Sequence, residues 1–262
     1  MTRRRPRWFP ALLAVTVVLA VAFLAVPILA VFADAGPARL LGSLGDPSAR
    51  EALVLSLETS LVAVGLVALV GTPAAYALAT RRFRGRSALL TLLELPLVLP
   101  PAVAGIALLA ALGPHGLLGG VLRGAGIELV FETAGVVVAL MFVSAPFHLR
   151  QAQAAFAGVD PRWLEASRTL GAGEAATFAR VAIPAAAPGL LAGLALAWGR
   201  ALGEFGATLL FAGSFRGVTQ TAPLAIYERF DSDFTGALAL SAVLVVASAA
   251  LLLGVKRVEG RS

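Results

Sequence analysis

VDPRWLEASRTLGAGEAATFARVAIPAAAP, from Val159 to Pro188, is the longest polar interval in a chain that is otherwise almost wholly apolar. Near its beginning, Asp160 is followed by Pro161, a pair that predicts the start of a helix. An Asp side chain accepts backbone N–H groups at an N-cap, and the missing N–H of proline costs nothing at the first helical position. The interval therefore opens with a helix of its own.

This predicted helix has an apolar side and a glycine end. Its residues at helical spacing are Trp163, Leu164, Ser167 and Leu170. Gly171 and Gly173 predict its end, because glycine readily adopts the left-handed conformation that follows many helices. A second helical run, 174–182, leads to Ile183 and Pro184, where another helix can begin. The interval thus predicts a helix, a glycine turn and a second helix between two membrane spans.

Composition places the whole chain in a membrane. Of its 262 residues, 59% are hydrophobic and only 14% are charged, with a mean hydropathy of +0.89. A soluble domain carries about 25% charged residues, so we predict an all-α polytopic membrane protein with one domain over 1–262. The absence of cysteine excludes disulfides, iron–sulfur clusters and zinc–thiolate sites. Only two histidines are present, far apart in sequence, and no metal site is expected.

Six apolar runs predict membrane spans, the fourth of them somewhat short. We predict them at 11–33, 52–80, 87–112, 133–148, 184–212 and 234–255. The first run is too long for the apolar part of a signal peptide, which has about 7–15 residues. Prolines 96, 100 and 101 are expected to break the third span, and 71–73 to interrupt the second. The segments 34–51, 113–132 and 213–233 are predicted to be loops.

The basic residues indicate the orientation of these spans. Fifteen of the 21 lie on the side of the two termini and five on the other, while Arg200 lies within a span. Basic residues concentrate in cytoplasmic loops, so we predict cytoplasmic termini and a cytoplasmic 159–183 loop. A nucleic-acid-binding protein is excluded despite the net charge of +6, because the arginines cluster beside apolar runs.

Charged residues within spans are rare and are candidates for function. Arg200 and Glu204 are four residues apart, so they share a helix face and can pair. They either neutralise each other and hold helices together or line a translocation path, with Gly199, Gly203 and Gly206 allowing close approach of neighbours. Glu94 is expected to pair with the arginine loop 81–86, and Glu58 to lie near the outer interface. No P-loop or HExxH motif is present, so no catalytic residues are predicted.

The polar interval also resembles a known motif. Glu165-Ala166-Ser167, then Gly171, Val181, Ile183 and Pro184, resemble the EAA coupling loop of ABC-importer permease subunits. The family pattern has Ala, Ile and Leu where this chain has Ser167, Val181 and Ile183, changes that roughly keep size or apolarity. The resemblance implies a fold like that of type I ABC importer permeases.

Three further stretches resemble permeases for molybdate and related tetrahedral oxyanions. They are LPLVLPPAVAG at 95–105, GRALGEFGATLLFAG at 199–213 and PLAIYERF at 223–230. Sulfate permeases are similar, although they more often have Tyr in place of Phe205 and another residue in place of Pro101. The resemblance therefore implies a bacterial importer subunit for molybdate, with tungstate as a possible further substrate. A sulfate or thiosulfate permease is the alternative, and an ion-coupled secondary transporter is a more distant one.

What the family resemblance implies can be stated residue by residue. The ATPase-coupling loop, about 159–183, comprises Asp160, Pro161, Trp163, Leu164, Glu165, Ala166, Ser167 and Gly171, with Ile183 and Pro184 at its end. Trp163 and Leu164 are expected to anchor its helix in a groove of the ATPase, and Gly171 to allow a tight turn. The candidate translocation path comprises Pro100, Pro101, Arg200, Gly203, Glu204, Phe205 and Thr208.

The resemblance also implies an assembly in the bacterial cytoplasmic membrane. It comprises a homodimer of this chain, two ATP-binding cassette subunits on the cytoplasmic face and an external oxyanion-binding protein. The chain itself is then no enzyme and holds no cofactor, because ATP and Mg²⁺ are bound by the partner ATPase.

Overall fold

The computed structural model describes residues 8–35, 42 and 45–259, and every regular element in these residues is helical. The helices are α1 (Trp8–Ala35), α2 (Pro47–Thr80), α3 (Arg86–Val98), α4 (Pro101–Leu112), α5 (Gly119–Gly124), α6 (Thr133–Ala157), α7 (Pro161–Thr169), α8 (Glu174–Thr177), α9 (Ile183–Leu202), α10 (Gly206–Ala212), α11 (Ala222–Arg229) and α12 (Phe234–Glu259). A π-helical turn, Phe178–Ala182, joins α8 to α9. The all-α prediction is confirmed. The N-terminal arginines 3, 4, 5 and 7, and Arg261, which the orientation argument used, lie outside the described residues.

Among the residues that the structure describes, five helical stretches are long and apolar enough to cross a membrane, and α3 with α4 forms a further, sharply bent candidate. The five are α1, α2, α6, the continuous stretch 174–202 and α12. Between α3 and α4 the helix direction changes by 119°. The prolines at positions 96, 100 and 101 were expected to break this span, and the break lies between Val98 and Pro101.

The packing of α2 against α6 shows that α3 and α4 together cross the bundle. Ala63 of α2 packs with Leu140 of α6, and further along both helices Tyr76 packs with Phe156. The two helices therefore run in the same direction. The chain between them has to return from one end of the bundle to the other, and the α3–α4 segment makes that return. The six predicted spans are thus confirmed.

Several predicted boundaries are wrong, each for a physical reason. Helix α2 starts at Pro47 rather than at residue 52, because the Asp46 side chain caps its first turn. Helix α6 continues to Ala157 rather than ending near residue 148, because its last turns are buried in the core. The predicted fifth span, 184–212, divides: α9 is continuous with the turn before it and ends at Leu202, and α10 is separate.

The expected interruption of α2 at 71–73 is also wrong. The helix continues through Gly71 and Pro73 to Thr80. Membrane helices tolerate proline where neighbouring helices and side chains satisfy the freed backbone groups. Here α2 packs closely on α6, and a Cβ atom at Gly71 would lie only 3.1 Å from the His148 ring. Two of the predicted loops contain short helices, α5 and α11.

The core consists of one large cluster at the end of the bundle that carries α7 and of smaller clusters elsewhere. A loop-side core joins α7 and the π-helical turn to α2, α6 and α9, and consists of Ala75, Tyr76, Ala152, Phe156, Val159, Leu164, Ala182, Ala186 and Leu190. Smaller clusters fill the middle of the bundle, such as the one formed by Ala63, Val136, Leu140, Ala201 and Ala212. By contrast, α1 packs on α12 and leaves most of its large apolar side chains exposed, as expected for a helix that faces lipid.

Candidate functional site

Helix α7 forms as its caps predict. The Asp160 Oδ1 atom accepts a hydrogen bond from the Arg162 backbone N–H at 2.9 Å, and Pro161 is the first helical residue. The helix is followed by Gly171 with φ +86°, and no neighbour lies within 4 Å of where its Cβ atom would be. A left-handed conformation is costly for residues with a side chain. The tight turn predicted at Gly171 is confirmed, and its need for glycine comes from the backbone, not from crowding.

The two apolar residues expected to meet an ATPase point in different directions. Trp163 is 57% exposed, and Leu170 is 88% exposed. Leu164 is only 9% exposed and packs in the loop-side core. The expectation that Leu164 anchors directly in a partner's groove is therefore corrected: its side chain attaches α7 to the permease, and Trp163 remains on the free surface.

The rest of the coupling loop is tied to the permease by polar contacts. The Ser167 Oγ and Thr177 Oγ1 atoms lie 2.9 Å apart, and Thr177 is fully buried. An exposed ion pair of 3.0 Å joins Arg81 to Glu174. The remaining predicted members lie on the surface or begin α9: Glu165, Ala166 and Pro184 are exposed, and Ile183 packs against the loop-side core. The contacts made by α7, α8 and the π-helical turn join them to one another and to the bundle.

Two broken helices restart side by side in the middle of the bundle. Helix α4 begins at Pro101 after the α3 break, and α10 begins at Gly206 after α9 ends. A Cβ atom at Gly206 would lie 2.7 Å from the Pro101 Cβ, and one at Gly105 would lie 2.9 Å from the Ala207 carbonyl oxygen. Two of the three stretches that resemble oxyanion permeases, 95–105 and 199–213, are therefore in contact through glycines.

The contact lies near the middle of α6, one of the membrane-spanning helices. Ala104 of α4 and Ala207 of α10 share a buried cluster with Val143 of α6. Val143 follows Thr133, the first residue of α6, by ten positions, which corresponds to about 15 Å of helix. The apolar core of a bilayer is about 30 Å thick. Counted from Thr133, the helix breaks are about half the thickness of a bilayer core along α6, and discontinuous helices near the midplane form substrate sites in many transporters.

The pair predicted from four-residue spacing is present at this break. Arg200 Nη2 lies 2.5 Å from Glu204 Oε2, and the two side chains are 29% and 1% exposed. The other carboxylate oxygen of Glu204 accepts a hydrogen bond from the Ala207 backbone N–H at 2.7 Å. Glu204 thus binds the last turn of α9 with one oxygen and the first turn of α10 with the other. The predicted pairing of Arg200 with Glu204 is present, and part of the Arg200 side chain remains accessible.

The other predicted path residues lie at or beside the two helix breaks. The Phe205 ring packs against the Tyr227 ring with centroids 5.0 Å apart and planes inclined by 50°. Thr208 is fully buried, and no described residue bonds to its hydroxyl. Pro100 and Gly203 are exposed beside the breaks. Close approach at Gly199 and Gly203 is not observed, because a Cβ atom there would meet no neighbouring helix; it is confirmed for Gly206 alone.

We expect Gly206→Ala to loosen the α4–α10 contact and Gly199→Ala not to. The first adds a methyl group 2.7 Å from the Pro101 Cβ, and the second adds one to open space within α9. Overpacking costs about 1–3 kcal/mol, whereas Gly to Ala within a helix gains up to about 1 kcal/mol. The thermal midpoint of the purified permease in detergent checks this. A higher midpoint for Gly206→Ala would contradict the close contact.

Glu94 has a different partner from the expected one. Its Oε1 atom lies 3.3 Å from Arg150 Nε near the end of α6. The pairing with the 81–86 arginine loop is therefore wrong, because α3 packs against α6 and meets the part of that helix beyond residue 148. Glu58 is exposed, as expected, in a surface depression with Arg50 and Glu51.

The opposite end of the bundle is held by ion pairs that sequence reasoning did not find. Arg229 donates to the Asp46 carboxylate and, at 2.6 Å, to Ser48 Oγ, so α11 is bound to the start of α2. The Arg229 guanidinium holds the pKa of Asp46 below its ordinary value. Arg216 and Glu228 form a second pair at 2.6 Å.

Polar contacts that join spans to one another and to α11 were missed as well. Trp198 Nε1 donates to Ser60 Oγ at 2.9 Å, and the Ala222 backbone N–H donates to Ser56 Oγ at 2.6 Å. His148, fully buried, lies 2.9 Å from Thr72 Oγ1 through Nε2. Polar residues within apolar spans tend to face the bundle interior, and that signal could have found them. Among the described residues, no group of three or more metal-ligating side chains occurs.

Comparison with known proteins identifies the family. The family described as "Binding-protein-dependent transport system inner membrane component" matches residues 68–261. The chain belongs to this family. The permease is 42% identical over 252 residues to the "Molybdenum transport system permease protein ModB" of Mycobacterium tuberculosis, covering 95% of this chain and 93% of that protein. It is 36% identical over 216 residues to the "Sulfate transport system permease protein CysW" of Synechococcus elongatus, covering 80% and 76%.

The fold of the permease is that of known importers. It matches a chain of a bacterial ABC transporter involved in the import of the acidic polysaccharide alginate with a TM-score of 0.73. The match covers 97% of this chain and 95% of the other at 18% sequence identity. At this identity the match shows the fold alone, which is that of a type I ABC importer permease, as predicted.

Proposed function

We propose that this permease is the membrane-spanning subunit of an ATP-driven bacterial importer for molybdate, with tungstate as a further substrate. The observation that carries the proposal is the 42% identity to a molybdenum permease over 95% of the chain, against 36% over 80% for a sulfate permease. The contact between 95–105 and 199–213, two of the three stretches that resemble oxyanion permeases, supports it. A sulfate importer is the second candidate, because the sulfate relatives also span most of the chain.

The proposed assembly follows from the family description and the exposed surface of α7. Two copies of the permease would enclose the path, and two ATPase subunits, which bind ATP and Mg²⁺, would contact α7 through Trp163 and Leu170. The family description, "binding-protein-dependent", supports an oxyanion-binding protein on the outer face. The distribution of arginines supports cytoplasmic termini and a cytoplasmic α7.

In the proposed mechanism, ATP-driven closure of the ATPase pair moves α7. This movement changes the side of the membrane to which the path is open. The motion reaches the bundle through Leu164 in the loop-side core and through the Ser167–Thr177 contact. At the helix breaks, Arg200 offers a partly accessible cation to a passing oxyanion. Glu204 neutralises that cation when the path is empty, which lowers the cost of placing Arg200 in the membrane.

ATP dependence in proteoliposomes tests this function against ion-coupled transport. The permease is reconstituted with the ATPase and binding protein encoded beside it, and uptake of labelled molybdate is measured. Uptake is expected to require ATP on the side of the membrane where the ATPase is bound. It should continue when a protonophore collapses the proton gradient. Uptake by the permease without the ATPase, or its loss with the protonophore alone, would contradict the proposal.

A further inference from the structure

The Tyr76 hydroxyl is a buried hydrogen-bonding group without a partner among the described residues. Tyr76 is buried on α2 in the loop-side core, the cluster that also holds Leu164 of α7. Leaving such a group unpaired costs free energy comparable to its desolvation, so folded proteins keep few of them, and each one calls for an explanation. Phenylalanine would pack in the same place without that cost. The hydroxyl is therefore available for a hydrogen bond that forms in another conformation.

The Tyr76 ring lies against the turn that links α7 to α9. Its centroid is 4.8 Å from that of Phe178 and 5.2 Å from that of Phe156. Phe178 is the first residue of the π-helical turn, and its carbonyl accepts the Ile183 N–H. Any displacement of this turn therefore changes the surroundings of the Tyr76 ring and hydroxyl.

The turn contains a backbone carbonyl that has no helical donor. Pro184, two residues after the turn, has no N–H, so one carbonyl about a turn earlier lacks a helical partner. In the π-helical pattern this is the carbonyl of Ala179, and in an α-helical pattern it is that of Arg180. A change from one pattern to the other moves the free carbonyl along the turn. Tyr76 thus places an unused donor beside a segment with an unused acceptor.

The same turn is mechanically attached to α7. Thr177, immediately before it, contacts Ser167 of α7 at 2.9 Å, and Leu164 packs in the same core. π-helical turns are rare, contain one more residue than an α-helical turn and frequently occur at functional sites. Movement of α7 therefore acts directly on the one π-helical segment among the described residues.

We propose that Tyr76 is a positioning residue of the transport cycle. Its hydroxyl is unused in the present conformation and donates to a carbonyl of the Phe178–Ala182 turn in the alternate one, which the turn reaches when α7 moves. The bond stabilises the alternate conformation alone and so sets the balance between the two. This inference rests on the proposed function, because it requires a cycle between two conformations.

Tyr76→Phe tests the inference, because it removes one oxygen atom and little else. The matched control is Tyr227→Phe at the only other tyrosine, which is exposed on α11. We expect Tyr76→Phe to leave the thermal midpoint unchanged or raised and the ATPase bound. The population of the alternate conformation relative to the present one should fall roughly 2- to 12-fold, because the variant loses one hydrogen bond that forms in the alternate conformation only. More ATP should be hydrolysed per oxyanion imported.

The conformational ratio is measured with spin labels in the assembled, reconstituted importer. The chain has no cysteine, so Leu117→Cys on the exposed far end gives one label per copy, and the label–label distance reports the two conformations with and without ATP. ATP-dependent uptake with an unchanged ratio in Tyr76→Phe, or a lowered thermal midpoint, would overturn the inference alone. Wild-type uptake that does not depend on ATP would overturn the proposed function, and the inference with it.

Discussion

Arg200→Ala is expected to destabilise the permease more than any other single change at the helix breaks. The substitution leaves Glu204, 1% exposed, as a buried charge whose remaining partner is the Ala207 N–H. Removing one member of a buried ion pair costs about 3–5 kcal/mol. Because Arg200 is itself 29% exposed, we expect the lower part of that range. The thermal midpoint should then fall by about 10 °C, at 2–4 °C per kcal/mol for a chain of this size.

A double variant separates this stability effect from a role in transport. Arg200→Met with Glu204→Gln removes both charges, and the Gln carbonyl can still accept the Ala207 N–H. Replacing a buried pair by neutral side chains of similar volume is often close to neutral for stability. The double variant should therefore recover the wild-type midpoint while its molybdate uptake stays low, since no cation remains at the breaks. Recovery of both stability and uptake would show that the pair serves the fold alone.

Leu164→Ala and Trp163→Ala, neighbours on α7, are expected to fail in different ways. Leu164 fills the loop-side core, and truncating a buried leucine costs about 2–5 kcal/mol. We expect the purified permease to lose stability and α7 to detach from the turn that it moves. Trp163 is 57% exposed, so its truncation should leave the unfolding free energy of the isolated permease within about 0.5 kcal/mol of wild type.

The partner ATPase distinguishes the two residues. Trp163→Ala should reduce co-purification of the ATPase, because large aromatic side chains contribute strongly to interfaces. Leu164→Ala should be assayed below its melting temperature. Any loss of ATPase binding in this variant should match the fraction of molecules in which α7 is disordered. Normal ATPase binding by Trp163→Ala, together with a stable Leu164→Ala, would contradict the assignment of one residue to the partner and the other to the core.

Local features were predictable from the sequence because their causes are local. Asp160 and Pro161 specify the start of α7, and Gly171 specifies its end, through interactions within a few residues. The Arg200–Glu204 pair follows from helical periodicity alone. Hydropathy located the six spans, because a segment that crosses the apolar core of a membrane must itself be mostly apolar.

Features that depend on neighbouring helices were not predictable. Hydropathy marks where a chain meets lipid, so it missed the extension of α6 to Ala157, which is covered by protein. Prolines marked the α3–α4 break without indicating its 119° angle. The inward direction of Leu164 depends on which helix covers α7. The π-helical turn depends on how α8 and α9 are held at their ends.

Competition for uptake tests the central claim most directly. ATP-dependent uptake of labelled molybdate by the reconstituted importer is measured with tungstate, sulfate or phosphate as unlabelled competitor. The account predicts that tungstate blocks uptake at concentrations similar to molybdate, and that sulfate and phosphate in large excess do not. Equal blockade by sulfate would contradict the molybdate assignment and make the chain a sulfate permease.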